Sequence, residues 1–123
     1  MPGQPIIASA DDRISAQGRA LAIHEWRGSG PSYLHVHNSD DEAWHVLEGE
    51  LQFRFADRSV VVAAGGTVFV PAGVPHTYQA SSGARYLVFL TARLNALIAE
   101  LQRAPGLSAH AEIMTKYVSE IVE

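Results

Sequence analysis

The sequence predicts an all-β fold followed by two C-terminal α-helices. Short apolar segments recur along residues 20–90, and glycine- and proline-containing turns separate them, as in antiparallel sandwiches and barrels. Leu51, Phe53 and Phe55 alternate with polar residues, which is typical of a half-buried strand. Beyond residue 91 the spacing of apolar residues changes to that of a helix.

The chain has 123 residues, which suits one domain with one core. We divide it into an N-terminal arm (residues 1–17), a barrel (18–91) and C-terminal helices (92–123) that pack on the barrel or on a dimer partner. Within the arm, Ile6 and Ile7 form a candidate pairing segment.

Apolar segments bounded by turn residues predict seven strands. In chain order they span residues 20–26, 33–37, 43–47, 51–55, 60–62, 67–70 and 86–90. Residues 71–75, PAGVP, are interpreted as a tight irregular segment that leads to His76. We expect Gly49 and Gly73 to lie in turns that require a positive φ.

Two helices are predicted at the C-terminal end. The first has apolar residues at positions i, i+3, i+4 and i+7, namely Leu94, Leu97, Ile98 and Leu101. Thr91 is its expected N-cap and Pro105 ends it. The second helix starts near Ser108 and carries Ile113, Met114, Tyr117 and Ile121. We expect both helices to serve packing, not chemistry.

Composition narrows the function classes. The net charge is −4 without long runs of either sign, so the sequence gives no electrostatic case for nucleic acid. The chain has no cysteine, which excludes disulfides and thiolate metal sites. No apolar run approaches the roughly 20 residues of a membrane helix. The first twelve residues lack the features of a signal peptide, and we therefore expect a cytoplasmic protein.

Candidate metal ligands are concentrated in residues 33–49, YLHVHNSDDEAWHVLEG. In an extended chain His35 and His37 point to the same side and could hold one metal ion. Glu42 can return on a neighbouring strand after a turn, and His76 is a fourth candidate farther along the chain. Three imidazoles and a carboxylate suit one divalent metal ion, Fe, Mn, Ni or Zn.

The spacing of these residues resembles a motif of the cupin superfamily, whose members are small antiparallel jelly-roll β-barrels, also described as double-stranded β-helices. That motif pairs His-x-His with a glutamate after four intervening residues and a glycine after six more, which His35, His37, Glu42 and Gly49 match. The family glycine before His-x-His has five intervening residues, whereas Gly30 has four.

A second cupin motif resembles residues 65–80. Its glycine, Pro-x-Gly and histidine match Gly65, Pro71, Gly73 and His76. Ala80 stands where the family has an asparagine, which is not a metal ligand in the family pattern. The resemblance covers roughly residues 18–90. It implies that the three histidines and the glutamate named above bind one metal inside the barrel. The alternative is that they are polar residues at the open end of the barrel and bind no metal.

Other residues have weaker assignments. Tyr33, Trp44 and Tyr78 share the ligands' side of their strands and are candidate pocket-lining residues. Alternation puts His45 on the outer face, where a bulge could still turn it inward. His24 and His110 are assigned to surface or packing, and Arg54 and Arg85 to solvated surface. Asp41 is assigned to a turn, with a ligand role as its alternative.

Leu34 and Val36 alternate with the histidines, so they face away from the pocket and require cover. The terminal helices, the N-terminal arm or another subunit could supply that cover. Because small cupins commonly pack their sheets back to back, the resemblance implies a homodimer.

Several functions remain open. The first is a metal-dependent enzyme on a small organic molecule: an oxygenase, in which a six-coordinate metal keeps two positions for substrate and O₂, or an isomerase or lyase. The second is a non-catalytic binding or sensing protein for a small molecule. The third is a structural metal, for which four protein ligands would close a zinc site.

Overall fold

The computed structural model describes residues 3–123, which form ten strands and two helices. The strands are β1 (Ser15–Gln17), β2 (Leu21–Trp26), β3 (His35–His37), β4 (Glu42–Glu48), β5 (Glu50–Phe55), β6 (Ser59–Ala63), β7 (Thr67–Val70), β8 (His76–Ala80), β9 (Arg85–Thr91) and β10 (Ser119–Ile121). The helices are α1 (Ala92–Arg103) and α2 (Leu107–Lys116).

The strands form two antiparallel five-stranded sheets. The first has the order β1-β2-β9-β4-β7 and the second β10-β3-β8-β5-β6. Their facing sides enclose one apolar core, which the two helices extend. The fold is therefore the predicted one: mostly antiparallel β, with two C-terminal helices.

Period-two alternation sets which side chains enter the core. In β4 the buried residues are Glu42, Trp44 and Val46, and the residues between them are half-buried. Tyr86 and Val88 occupy the matching positions of β9. A shift of one residue would exchange the two faces, so the apolar alternation fixes the register of these strands.

The predicted strands correspond to β2–β7 and β9, but the chain contains three more. The sequence HTYQA (residues 76–80), which follows the predicted irregular segment and was not predicted as a strand, forms β8 between β3 and β5. It lacks a long run of apolar or β-branched residues, so its pairing depends on both neighbours and not on local propensity. Gly49 and Gly73 have the expected positive φ, +74° and +89°.

The N-terminal arm differs from the expectation. Ser15–Gln17 forms β1 and pairs with β2. Ile6 and Ile7 are 63 % and 88 % exposed and lie outside any strand, so the predicted pairing of these residues is wrong.

The first helix has the predicted cap, since the Thr91 hydroxyl accepts a hydrogen bond from the backbone N–H of Leu94 at 3.2 Å. The second helix ends at Lys116, and its predicted extension to Ile121 is wrong. Val118 has φ +57°, which stops the helix, and residues 119–121 pair with β3.

The side chains of Leu34 and Val36 are buried within the single chain, where they are only 8 % and 5 % exposed. Their burial therefore requires no second subunit. Within residues 3–123, neither helix is long and apolar enough to span a membrane.

Candidate metal centre and its cavity

Two neighbouring strands bring three buried histidines together. His35 and His37 lie on the inner face of β3, and His76 is the first residue of β8, directly opposite His35. One ring nitrogen from each residue can be chosen such that all three lie within 4.8 Å of one another. Strand pairing brings His76 next to His35 and His37 although at least 39 residues separate them in the sequence. A hydrogen bond from Gly73 N–H to the His37 carbonyl, at 2.8 Å, fixes the loop before His76.

Glu42 reaches the same point from the opposite sheet. Its Oε1 atom lies 3.1 Å from Nε2 of His76 and 3.3 Å from Nε2 of His37. The glutamate is buried, with 5 % of its side chain exposed. The structure thus assembles all four residues that the sequence analysis selected as candidate ligands.

The opposite nitrogen of each ring, Nδ1, faces an oxygen atom of the protein. These contacts join His35 to the Tyr33 carbonyl at 3.3 Å, His37 to the Ser119 hydroxyl at 2.8 Å and His76 to the Val74 carbonyl at 2.9 Å. A carbonyl only accepts, so Nδ1 carries the proton in His35 and His76. Their Nε2 lone pairs therefore remain available.

This donor set fits a divalent cation. Nε2 lone pairs and the Glu42 carboxylate converge in a buried space, where they repel one another unless a proton or a cation lies between them. Two ligand atoms that are each about 2.1 Å from a metal are roughly 3.0 Å apart at a right angle and roughly 3.4 Å apart at a tetrahedral angle. The observed 3.1 and 3.3 Å fall in this range. Nitrogen and oxygen donors of this kind suit iron, manganese, nickel and zinc.

Protonation also favours a metal. Burial, together with the nearby His76 and His37, lowers the pKa of His35 to about 3. Burial alone would raise the pKa of Glu42, but in the metal-free protein a proton shared between its carboxylate and Nε2 of His37 or His76 outweighs this effect and lowers the pKa to about 2. At neutral pH His35 is therefore neutral and Glu42 is ionised, which are the forms that bind a metal.

A cavity of about 780 Å³ lies next to the cluster, and His35, His37 and Glu42 contribute to its wall. A volume of this size accommodates a small organic molecule. Tyr33, Trp44 and Tyr78, the predicted pocket-lining residues, also lie on its wall. The candidate ligands are consequently accessible from a space that a substrate could occupy.

Two phenols keep part of this wall neutral. Tyr86 donates its hydroxyl proton to the Gly28 carbonyl, so the Tyr78 hydroxyl donates to the Tyr86 oxygen at 2.8 Å. Burial raises the pKa of Tyr78 and that of Tyr86, the latter to about 12. Both side chains therefore stay protonated at physiological pH.

The C-terminal helices form the other side of the cavity, so they do more than pack against the barrel. Their apolar contributions are Leu97, Ile98, Leu101, Leu107 and Met114. The sequence pattern identified most of these residues as an apolar stripe but did not indicate that part of the stripe faces a cavity.

His110 is a wall residue that the sequence analysis assigned to surface or packing. Its Nε2 donates to the Ala104 carbonyl at 2.9 Å, so its Nδ1 accepts a hydrogen bond from the Tyr33 hydroxyl, also at 2.9 Å. This contact links α2 to Tyr33, two residues before β3. A lone histidine on a helix carries no sequence signal for such a contact.

The remaining candidates lie outside the cluster. His45 is on the outer face of β4, where Nδ1 lies 2.7 Å from the Thr67 hydroxyl. Asp41 accepts a hydrogen bond from Ala72 N–H at 2.9 Å, in keeping with its turn assignment. Arg54 pairs with Glu123, and Arg85 pairs with Glu25 and Glu48.

A curated protein shares part of the sequence, and solved structures share the fold. The chain is 33 % identical over 69 residues to quercetin 2,3-dioxygenase of Bacillus subtilis (strain 168), a match that covers 55 % of this chain and 20 % of that protein. The chain thus spans about a fifth of the length of this relative.

Among solved structures, a cupin-2 domain containing protein from Shewanella frigidimarina has a TM-score of 0.51 and 23 % identity, covering 68 % of this chain and 82 % of the other. The polyketide cyclase RemF from Streptomyces resistomycificus has a TM-score of 0.51 and 25 % identity, covering 60 % and 56 % of the two chains. The family model for the cupin domain matches residues 23–92, which is more than half of the sequence and includes all four residues of the cluster. The chain therefore belongs to the cupin family.

Proposed function

We propose that this protein is a metal-dependent enzyme that acts on a small organic molecule, with oxygenase chemistry as the first candidate and isomerase or lyase chemistry as the second. One observation carries the proposal: His35, His37, His76 and Glu42 converge where a cavity of about 780 Å³ begins. A substrate in the cavity would lie next to the donor atoms.

These four residues would hold one metal ion. When bound, the metal would supply Lewis-acid polarisation, a template for the substrate or, for iron and manganese, redox chemistry. The protein's own part is to fix the imidazoles through their Nδ1 contacts and to keep the Glu42 carboxylate ionised. The buried Trp44 ring, whose centroid lies 5.6 Å from that of His76, excludes water from this side of the cluster.

The relation to a dioxygenase supports the oxygenase candidate. The matched region of quercetin 2,3-dioxygenase is 33 % identical, although it is only 20 % of that protein. The likeness to a polyketide cyclase, which is 25 % identical, keeps a reaction class other than oxygenation as the alternative. Fold alone does not decide between these reactions.

The accessibility of the cluster argues against a structural metal. A structural zinc site is closed by four protein ligands and keeps no position for another molecule. Here His35, His37 and Glu42 line the cavity wall, so a small molecule could approach them.

A non-catalytic binding or sensing role is the second candidate function, and one observation favours it. Among residues 3–123, Glu42 is the single carboxylate on the cavity wall, and it belongs to the metal cluster. No separate Asp or Glu of the described chain is therefore placed to act as a general base on a bound molecule. A protein that only retained a metabolite would need none.

Elemental analysis and O₂ uptake test the proposal. Protein prepared without chelator or a histidine tag should contain close to one iron, manganese or nickel ion per chain in a six-coordinate, partly aquated site. The loaded protein should consume O₂ with some member of a panel of diols, diones, thiols and aromatics. Product formation without O₂ uptake would select the isomerase or lyase alternative. Absence of metal, or zinc held by four side chains alone, would contradict the enzyme proposal.

Variants locate the metal. His37→Ala and His76→Ala should each lose most of the bound metal, because each removes a buried donor. His45→Ala is the matched control, since His45 lies on the outer face of the same sheet as Glu42. Unchanged metal content in both cluster variants would contradict the site.

A further inference from the structure

Positive charge lies at the rim of the cavity although the chain is acidic. The chain has a net charge of −4, yet Arg13 and Arg27 line the cavity and are exposed. Glu42 is the sole acidic residue on the wall among residues 3–123, and it is buried within the histidine cluster. The rim therefore presents two guanidinium groups without an opposing carboxylate on the cavity surface.

The carboxylate that contacts Arg27 is already paired with a different arginine. Glu25 is buried, and Arg85 contacts both of its oxygens, at 2.9 Å through Nη2 and 3.0 Å through Nε. The hydrogen bond from Arg85 is the main reason that the pKa of Glu25 is lowered. Arg27 adds one contact to the same carboxylate, at 3.3 Å from Nη2. Glu25 consequently leaves most of the Arg27 hydrogen-bonding capacity unused.

Both rim arginines keep free donors. Arg13 uses Nε to donate to the Glu25 carbonyl at 3.3 Å, and its two terminal NH₂ groups have no partner within residues 3–123. Arg27 uses Nη2 alone, so its Nε and Nη1 atoms also lack a partner in that part of the chain. A guanidinium has five N–H donors in a planar fork that matches a carboxylate. The two side chains thus have the donors that an organic anion would require.

The wall of the cavity is otherwise largely apolar. Its apolar members include Trp26 from β2, Leu97 and Ile98 from α1, and Met114 from α2. This wall suits a hydrocarbon or aromatic body, and the volume of about 780 Å³ accommodates one ring with a side chain.

We propose that Arg13 and Arg27 bind the carboxylate of a small amphipathic acid whose apolar body lies along the α1 and α2 wall. The inference rests on the proposed function in that it names the substrate class for the same cavity. It assigns an anion-binding role to the rim, whereas the histidine cluster would act on the other end of the molecule. Anion binding at the rim does not itself require the metal, so it can be tested separately.

Calorimetric titration of the metal-free protein tests this inference. The probes are phenylacetate, 3-phenylpropanoate and 4-phenylbutanoate, each compared with its neutral amide. The carboxylate of at least one pair should bind about tenfold or more tightly than the amide, since a charge-assisted contact to a guanidinium is lost in the amide. The Arg13→Gln, Arg27→Gln double variant should bind both members of the pair equally. Arg58→Gln, on the turn between β5 and β6 and outside the cavity wall, is the matched control and should keep the preference.

Three results would overturn the inference: equal binding of acids and amides by the unmodified protein, an undiminished preference in the double variant, or no binding of any probe. Acids that bind only the metal-loaded protein, with affinity unaffected by the two substitutions, would likewise overturn it. That last result would leave the proposed metal chemistry intact. Conversely, arginine-dependent binding by a protein that takes up no metal would support the rim site and contradict the proposed enzyme.

Discussion

The Ser119 hydroxyl lies 2.8 Å from Nδ1 of His37 and connects β10 to the candidate metal centre. The same hydroxyl donates to the Tyr117 carbonyl at 3.2 Å, so it accepts the Nδ1 proton of His37. This arrangement leaves the His37 Nε2 lone pair directed toward Glu42, 3.3 Å away. Ser119, 82 residues away in sequence, thus selects the tautomer of a candidate ligand.

Ser119→Ala should weaken metal binding about ten- to a hundredfold, the usual consequence of removing an outer hydrogen-bond partner from a ligating histidine. Competition with a chromophoric chelator measures this affinity. In the metal-free protein, ¹⁵N chemical shifts of His37 should move toward a mixture of the two tautomers, a change that loss of packing alone would not produce. Ser59→Ala, at the exposed start of β6, is the control. Unaltered affinity together with unaltered shifts would contradict this role for Ser119.

The sequence predicts the inner face of the site because the relevant information is local. His35 and His37 share a strand face by period-two alternation, and the same rule directs Glu42 inward. His76 joins them through long-range strand pairing. Its role could therefore be predicted only from the spacing of a family motif and not from its neighbours in the sequence.

Residues whose roles come from tertiary contacts were not predictable in this way. Ile121 follows Tyr117 at helical spacing, yet the positive φ of Val118 ends the helix before it. Residues 119–121 then pair with β3, a contact that no local sequence pattern indicates. His110 and Arg27 acquire their positions on the cavity wall only when α2 and the turn after β2 are packed. Their residue types are ordinary for a helix and a turn.

Val118 should be a site of stored strain. Its φ of +57° places a β-branched residue in the left-handed region, which costs about 1 to 2 kcal/mol. Val118→Gly should remove this cost but increase the entropy of the unfolded chain, for a net stabilisation of about 0.5 to 1 kcal/mol. Urea denaturation of the metal-free protein measures the difference.

Val122→Gly is the matched control for Val118, since the two valines are 41 % and 42 % exposed and lie in the same segment. Val122 has no positive φ, so its replacement should destabilise the protein by about 0.5 to 1 kcal/mol. Destabilisation by both substitutions would show that the Val118 backbone is not strained in solution.

Glu123 should make the C-terminal segment sensitive to acid. Its carboxylate accepts hydrogen bonds from Arg54 at 2.6 and 2.9 Å and from Leu34 N–H at 2.7 Å, and the Arg54 contact is the main cause of the lowering of its pKa from 4.5 to about 2. Because the unfolded chain takes up this proton at a higher pH, the stabilisation is complete above about pH 4.5 and disappears as the pH falls toward 2.

Glu123→Gln should therefore lower the Tm of the metal-free protein at pH 7, and the difference from the unmodified protein should shrink between pH 4.5 and pH 2. Differential scanning calorimetry across this range measures the effect. Glu120→Gln, an exposed residue of β10 without a described ion pair, is the control. A Tm difference for Glu123→Gln that stays constant down to pH 2 would contradict the linkage.

We propose that the protein forms a homodimer through the outer face of the first sheet. Ile23, Phe89, Ala43 and Phe69 are aligned across four neighbouring strands, β2, β9, β4 and β7, on the outer face. Phe69 is 63 % exposed in the single chain. A second copy could place the same apolar row against this one about a twofold axis, as isologous interfaces require.

Sedimentation equilibrium at micromolar concentration should give twice the mass of one chain. The Phe69→Asp variant should give the mass of a single chain, because its carboxylate would be buried without a partner in the centre of an apolar interface. Val61→Asp is the matched control: Val61 is 57 % exposed, but it lies on β6 of the other sheet, so this variant should remain dimeric. Circular dichroism establishes that both variants stay folded. A monomeric unmodified protein would contradict the dimer outright, and dissociation of the Val61 variant alone would transfer the interface to the second sheet.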